Sequence, residues 1–264
     1  MPNKLLLTHQ EMDQRYKELN KLVPEFKSPY FYKISKGNQT LYFLGVHHTF
    51  DPKNYQIAVI KDYWEKFLKE TMGKNCIVLG EGGKGDLIKN EDEAIKKHAE
   101  NGLITLLAFN ENIQMESPEP DASFEFNELI KKCSKEEIEY YYFARLVAQW
   151  NRLLEKPDFE EYLGSYLKRD KQNSGWTDFE FSVSNMILIH NKTHDHEFDR
   201  DNYDCFYKDS NPSFNTVSDL SSHIRDNFLL EETLKYWNEG KNIFIVYGSG
   251  HAIVLEKALN TLLI

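Results

Sequence analysis

Three short stretches carry side chains able to do acid–base or metal chemistry: Gly45-Val46-His47-His48, Gly80-Glu81-Gly82-Gly83 and Gly248-Ser249-Gly250-His251. Each follows an apolar run, respectively LYFL, CIVL and NIFIVY, and each puts a glycine at the exit with an ionisable group within three residues. If the runs are neighbouring strands, two imidazoles and one carboxylate meet at one edge of a sheet. Such a trio suits a divalent metal (manganese, zinc, cobalt or iron) with open coordination positions. The same trio also works without a metal, one group acting as general base while another orients it. A single Gly-x-x-His after a strand is a weak signal and is most often structural. The weight lies in its recurrence at two strand ends, with an acid at a third.

His47 and His48 are adjacent, and neighbours in extended backbone point to opposite faces. The spacing shared with Gly248 and His251 selects His48 for the site and leaves His47 as a supporting or core residue. A later helical stretch, SSHIRDNFLL, holds His223, Arg225 and Asp226. The planar fork of Arg225 suits bidentate contact with a carboxylate or stabilisation of an oxyanion. The ordinary reading of these three is a solvated helix face with ion pairs. His194 and His196, with Asp195 and Asp199, have the ordinary reading of a solvated loop. DRDNYD lacks the glycine a calcium loop needs at its sixth position. GEGGKGD has neither Walker nor Rossmann spacing, so nucleotide binding is unsupported. Ser249 stands outside any nucleophile-elbow pattern, which argues against a covalent serine mechanism.

The elements that must hold these groups are legible as a pattern. Thr8 and Glu11 have capping-box spacing ahead of a helix, and YFYKI and TLYFLG flank Gly37-Asn38 as a hairpin. Ile57, Ile60, Trp64, Phe67 and Leu68 form the apolar stripe of a further helix. Ser134 and Glu137 open the clearest helix of all. Residues 91–190 read as a mainly helical insertion or cap, and residues 191–215 as a long loop. A helix from about Val217 to Gly240, a buried strand and a last helix from Ala252 complete the chain. Continuous apolar strands alternating with helices predict an α/β class: one domain over 1–264, with a central mixed β-sheet and helices on both faces. In such sheets ligands sit beyond the carboxyl ends of the strands.

Composition bounds the function classes. The chain has 264 residues, 41% of them hydrophobic, enough for a sizeable core and far from a disordered composition. A net charge of -10 argues against a nucleic-acid footprint. No apolar run approaches the length of a membrane span, and the N-terminal three leucines are too few for a signal peptide. Cys76, Cys133 and Cys205 encode neither a disulfide framework nor a CxxC site. The expectation is a cytoplasmic protein with no membrane or nucleic-acid partner; its oligomeric state is not encoded.

Taken in order, Gly45 to His48, Glu81, Arg225-Asp226 and Gly248 to His251 resemble the TraB/PrgY/GumN–TIKI group and its erythromycin-esterase-like and ChaN-like relatives. Those families carry Gly-x-x-His after an early strand and a glutamate after the next core strand. An Arg-Asp or similar pair follows in a late helix, then Gly-x-Gly-His after the last strand. The stretch from Arg225 to His251 is the most specific part; the helical middle matches nothing in the pattern. The TIKI branch implies a metal-dependent protease with His48, Glu81 and His251 near a divalent ion. The esterase branch implies ester hydrolysis by His/Glu-activated water, although it carries an acid where this chain has Gly45. The ChaN-like branch implies haem binding without turnover. The leading expectation is a hydrolase of ester or amide bonds in a small-molecule or peptide substrate. In it His48, Glu81 and His251 act with or without a metal and Arg225 stabilises negative charge. The alternatives are a haem-type ligand-binding protein or a degenerate family member.

Overall fold

The computed structural model describes residues 4–22, 29–83, 85–201 and 212–264. Helix α1 (His9–Leu22) begins as its capping spacing predicts, with Thr8 N donating to Glu11 Oε2 at 2.8 Å and Glu11 N to Thr8 Oγ1 at 3.3 Å. The first apolar runs then form a hairpin. Strand β1 (Tyr30–Lys36) pairs antiparallel with β2 (Gln39–Val46), and Lys36 faces Gln39, so Gly37 and Asn38 alone make the turn. Gly37 has φ +60°, the left-handed conformation such a turn demands. Helix α2 (Tyr55–Thr71) is capped by the Asn54 side chain and leads to β3 (Cys76–Gly80). Helix α3 (Glu91–Asn110) and the three-residue strand β4 (Gln114–Glu116) follow.

Next come four helices: α4 (Ala122–Leu129), α5 (Lys135–Arg152), α6 (Phe159–Ser174) and α7 (Val183–Thr193). The long helix α8 (Pro212–Asn238), strand β5 (Asn242–Gly248) and helix α9 (Ser249–Leu263) end the order. The stretch read as a loop over 191–215 is helical at both ends, and its residues 202–211 lie outside the described residues, as does Cys205. The final helix starts at Ser249 rather than Ala252, which brings His251 into its first turn.

The five strands form one mixed sheet in the order β1-β2-β5-β3-β4, with β2, β5, β3 and β4 parallel and β1 antiparallel at the edge. Alternate residues of the strands enter two separate cores. Phe43, Ile77, Ile243 and Ile245 pack with Leu229, Leu230, Trp237 and the apolar side of α9. Leu44, Val78, Phe244 and Val246 pack on the other face with α2 and α3 through Ile60, Phe67, Ile95 and Ile104. Both sheet faces are thus covered by helices, which is why the strands read as continuous apolar runs. No helix among the described residues is long and apolar enough to cross a membrane.

The chain forms two compact units: Met1–Glu119 with Arg225–Ile264, and Pro120–Ile224. The helical unit therefore begins at Pro120, not at Glu91 as its composition suggests. The physical reason is α3, whose Ile95, Leu103 and Ile104 belong to the sheet core. Within the helical unit, α5 and α6 align matching stripes. Glu139, Phe143 and Trp150 are buried along α5, and Phe159, Leu163, Leu167 and Asp170 along α6. Trp150 and Phe159 meet edge-to-face at 5.2 Å.

Candidate functional site

The sheet order makes β2, β5 and β3 consecutive, so the three glycine-bearing ends are neighbours. Val46 pairs with Gly248, and Gly80 with Val246. Two of the glycines are required by packing. A Cβ on Gly45 would come within 2.6 Å of Ala252 Cβ and 2.9 Å of Ser249 Cα, so only glycine lets the first turn of α9 lie against β2. A Cβ on Gly80 would meet the side chains of Asn101, Ile104 and Met115, all at 2.7 Å or less.

Glu81 is the centre of what these ends assemble. One carboxylate oxygen, Oε2, accepts the Gly248 backbone N–H at 2.7 Å, and the other, Oε1, accepts from Arg225 Nη2 at 2.6 Å. The Nε2 atoms of the two histidines flank it, His48 at 3.4 Å from Oε2 and His251 at 3.7 Å from Oε1. Each ring is held from behind by its own carboxylate. Asp226 Oδ1 lies 2.6 Å from His251 Nδ1, and Glu100 Oε1 contacts His48 Nδ1 at very short range. Arg225 is itself clamped, donating from Nε and Nη2 to both oxygens of Glu119 at 2.8 and 2.9 Å. The pattern is two imidazoles facing one carboxylate, each backed by another.

Charge follows from this arrangement. Burial disfavours the Glu81 carboxylate, but His48 and Arg225 outweigh it and hold the group well below the usual carboxylate range. Glu119 is lowered for the same reason, with Arg225 as the compensating cation. His48 is pushed up to about 10, chiefly by Glu100, against its desolvation. Burial works against a charge on His251, yet Asp226 and Glu81 raise it above the ordinary histidine value.

Of the residues singled out from sequence, His48, Glu81, Arg225, Asp226 and His251 are brought together. His47 and His223 are exposed, and the bonds that build the cluster run through His48, Arg225 and Asp226 instead. His47 contributes through its backbone, exchanging bonds with the Gln56 amide. Sequence reasoning missed Glu100 and Glu119. Glu119 stands three residues past β4, the same strand-end position as the others, but a strand of three residues leaves too little pattern to read. Glu100 lies within a helix, where spacing gives no hint that it reaches a strand end.

The side chains do not fit the divalent metal that two histidines and a glutamate suggest. Both Glu81 oxygens already accept from donors, one of them the Arg225 guanidinium, whose charge repels a cation beside it. Both Nε2 atoms face Glu81 itself. Among the described residues, no group of three His, Cys, Asp or Glu side chains converges to hold a metal ion. An axial ligand to haem iron meets the same obstacle, because each imidazole sits between two carboxylates. Comparison of the chain with protein-family models, curated proteins and solved structures found no match.

Proposed function

We propose that the Glu81 cluster hydrolyses ester or amide bonds in a small-molecule or peptide substrate by activating water, without a metal. The observation that carries this reading is Glu81 flanked by two imidazole Nε2 atoms, each ring backed by its own carboxylate. The motif order resembles that of the erythromycin-esterase-like proteins, the branch that implies ester hydrolysis by His/Glu-activated water, and this supports it.

The two rings take different parts. His48 stays protonated to about pH 10 and is the proton donor. Neutral His251, with Nδ1–H held on Asp226, presents the Nε2 lone pair and is the general base. Water attacks the acyl carbon as its proton passes to His251 Nε2. The tetrahedral intermediate then collapses, and the leaving oxygen or nitrogen takes a proton from His48 Nε2. The products are a carboxylic acid and an alcohol or amine. Exchange with solvent then removes the proton from His251 and returns one to His48, while the Glu81 carboxylate between the two Nε2 atoms holds both rings in place. Arg225, with His48, keeps Glu81 ionised for that role.

The test is the pH dependence of hydrolysis of 4-nitrophenyl acetate and a short-peptide panel. Activity rises with pH as His251 loses its proton, above the ordinary histidine range because its pKa is raised. It falls as His48 deprotonates near pH 10. Asp226→Asn moves the rising limb to lower pH and lowers the plateau by about 10²-fold. A wild-type protein inactive on the whole panel, or a profile unmoved by Asp226→Asn, counts against the assignment.

A further inference from the structure

Helix α3 is broken in its middle. The backbone leaves the helical region at His98 (φ -128°, ψ 16°) and at Ala99 (φ +53°, ψ -147°). The Ala99 conformation borders a region that is essentially reserved for glycine, and a residue stays there only when its surroundings over-determine it. Those surroundings are on both sides of the break. A Cβ on Gly102 would lie 2.2 Å from the Ala94 carbonyl oxygen, so glycine at 102 lets the second helical segment fold tightly back on the first. Asn101 lies against Gly80 and donates to Gly83 O at 3.0 Å, tying the new segment to the end of β3.

The residue that follows the strained one is Glu100. It opens the helical segment beyond the break and shares a face there with Leu103 and Ile104, both buried in the sheet core, so a carboxylate enters an apolar stripe. Its side chain is buried, only 5% exposed, and is satisfied at the end of β2: one oxygen contacts His48 Nδ1 and the other accepts from Thr49 N at 3.3 Å. Two consecutive residues, Glu100 and Asn101, thus reach the ends of two different strands, β2 and β3.

We propose that the strained turn at His98-Ala99 is a built-in positioning device: it delivers Glu100 to the end of β2, where Glu100 fixes the His48 ring with Nε2 toward Glu81. Glu100 is then a positioning residue acting through His48. Its effect on turnover rests on the hydrolytic reading of the Glu81 cluster; its effect on the ring does not.

The experiment uses the full chain labelled with ¹⁵N-histidine. Long-range proton–nitrogen spectra report which His48 ring nitrogen is hydrogen-bonded, and His48→Gln supplies the assignment. Wild-type protein should show one fixed, doubly protonated His48 ring, and Glu100→Gln, which keeps the side-chain shape, should let the ring deprotonate at lower pH and average between its neutral tautomers there. Hydrolysis of 4-nitrophenyl acetate should fall by about 10²-fold in the same variant, mainly in kcat. Ala99→Gly should relieve the strain, raising Tm by roughly 2–4 °C, while the His48 signals broaden because Glu100 is aimed less firmly. Unchanged His48 signals in Glu100→Gln, or an Ala99→Gly protein no more stable than wild type, would overturn the proposal. A wild-type protein without esterase activity sinks the hydrolytic reading instead, and the ring spectra and melting temperatures then decide this one alone.

Discussion

Two buried acids on different parts of the chain, Glu81 and Glu139, are both pushed up by burial yet end on opposite sides of the ordinary carboxylate value. Glu81, at the end of β3, is lowered well below the ordinary carboxylate range because His48 and Arg225 outweigh its desolvation. Glu139, on α5 in the helical unit, is fully buried, and neither of its carboxylate oxygens has a hydrogen-bond partner among the described residues. Burial, with the nearby Asp170 charge adding to it, pushes Glu139 up to about 9. Asp170 is raised by burial too. One of its oxygens takes a 3.3 Å bond from Arg169, whose side chain is more than half exposed, and the other has no partner among the described residues. Burial alone drives a carboxyl neutral; a clamped cation reverses the sign. The cluster around Glu81 is built to keep buried charge, and the α5–α6 pair is built to keep a proton.

The largest effect should come from removing Arg225, the permanent charge among the two cations that reverse the sign. Arg225→Ala leaves Glu81 and Glu119 facing each other with no guanidinium between them and should cost about 3–5 kcal/mol of stability. Adding Glu119→Gln should recover part of that loss, as chemical denaturation of the single and double variants would show. A nearly neutral Arg225→Ala would break the comparison at its root.

The mirror experiment removes the proton-keeping acid. Glu139 has a folded pKa raised above its unfolded value of 4.5, so the ionisation-linked cost of its burial is absent below about pH 4.5 and grows as pH rises toward about 9. Glu139→Gln should therefore stabilise the protein by about 3 kcal/mol at pH 7 and by almost nothing near pH 4.5. A gain that does not vary with pH, or a loss, would contradict the unpaired state of that carboxyl. At the small end of the scale, His47→Ala and His223→Ala should change stability by less than about 0.5 kcal/mol and leave ester hydrolysis unchanged. A large loss in either would extend the cluster beyond the residues that touch Glu81.

The same contrast explains what could be read from the residues in order. Strand ends announce themselves locally: an apolar run, a glycine and an ionisable group place His48, Glu81 and His251 before any coordinates are seen. The hairpin at Gly37-Asn38 and the capped helix at Ser134 are equally local. Glu100 is not, because its reach to His48 depends on a backbone break at Ala99 and close packing at Gly102 that no periodicity encodes. Helix α3 looked like part of the helical middle because amphipathic helices read alike whether they cover a sheet or another helix. Its core partners on β3 and β5 decide its place, and they lie far away in sequence. The paired or unpaired state of a buried acid is likewise invisible in sequence: Glu81 and Glu139 differ only in what folding brings beside them.

Under the proposed function, side chains alone activate water. The most direct measurement is kcat/KM toward acyl esters for exhaustively chelated wild-type protein beside Glu81→Gln. For metal-free hydrolysis, the chelated wild type should keep its full activity and Glu81→Gln should lose at least about 10²-fold. Activity that vanishes on chelation and returns with manganese, zinc or cobalt would contradict it.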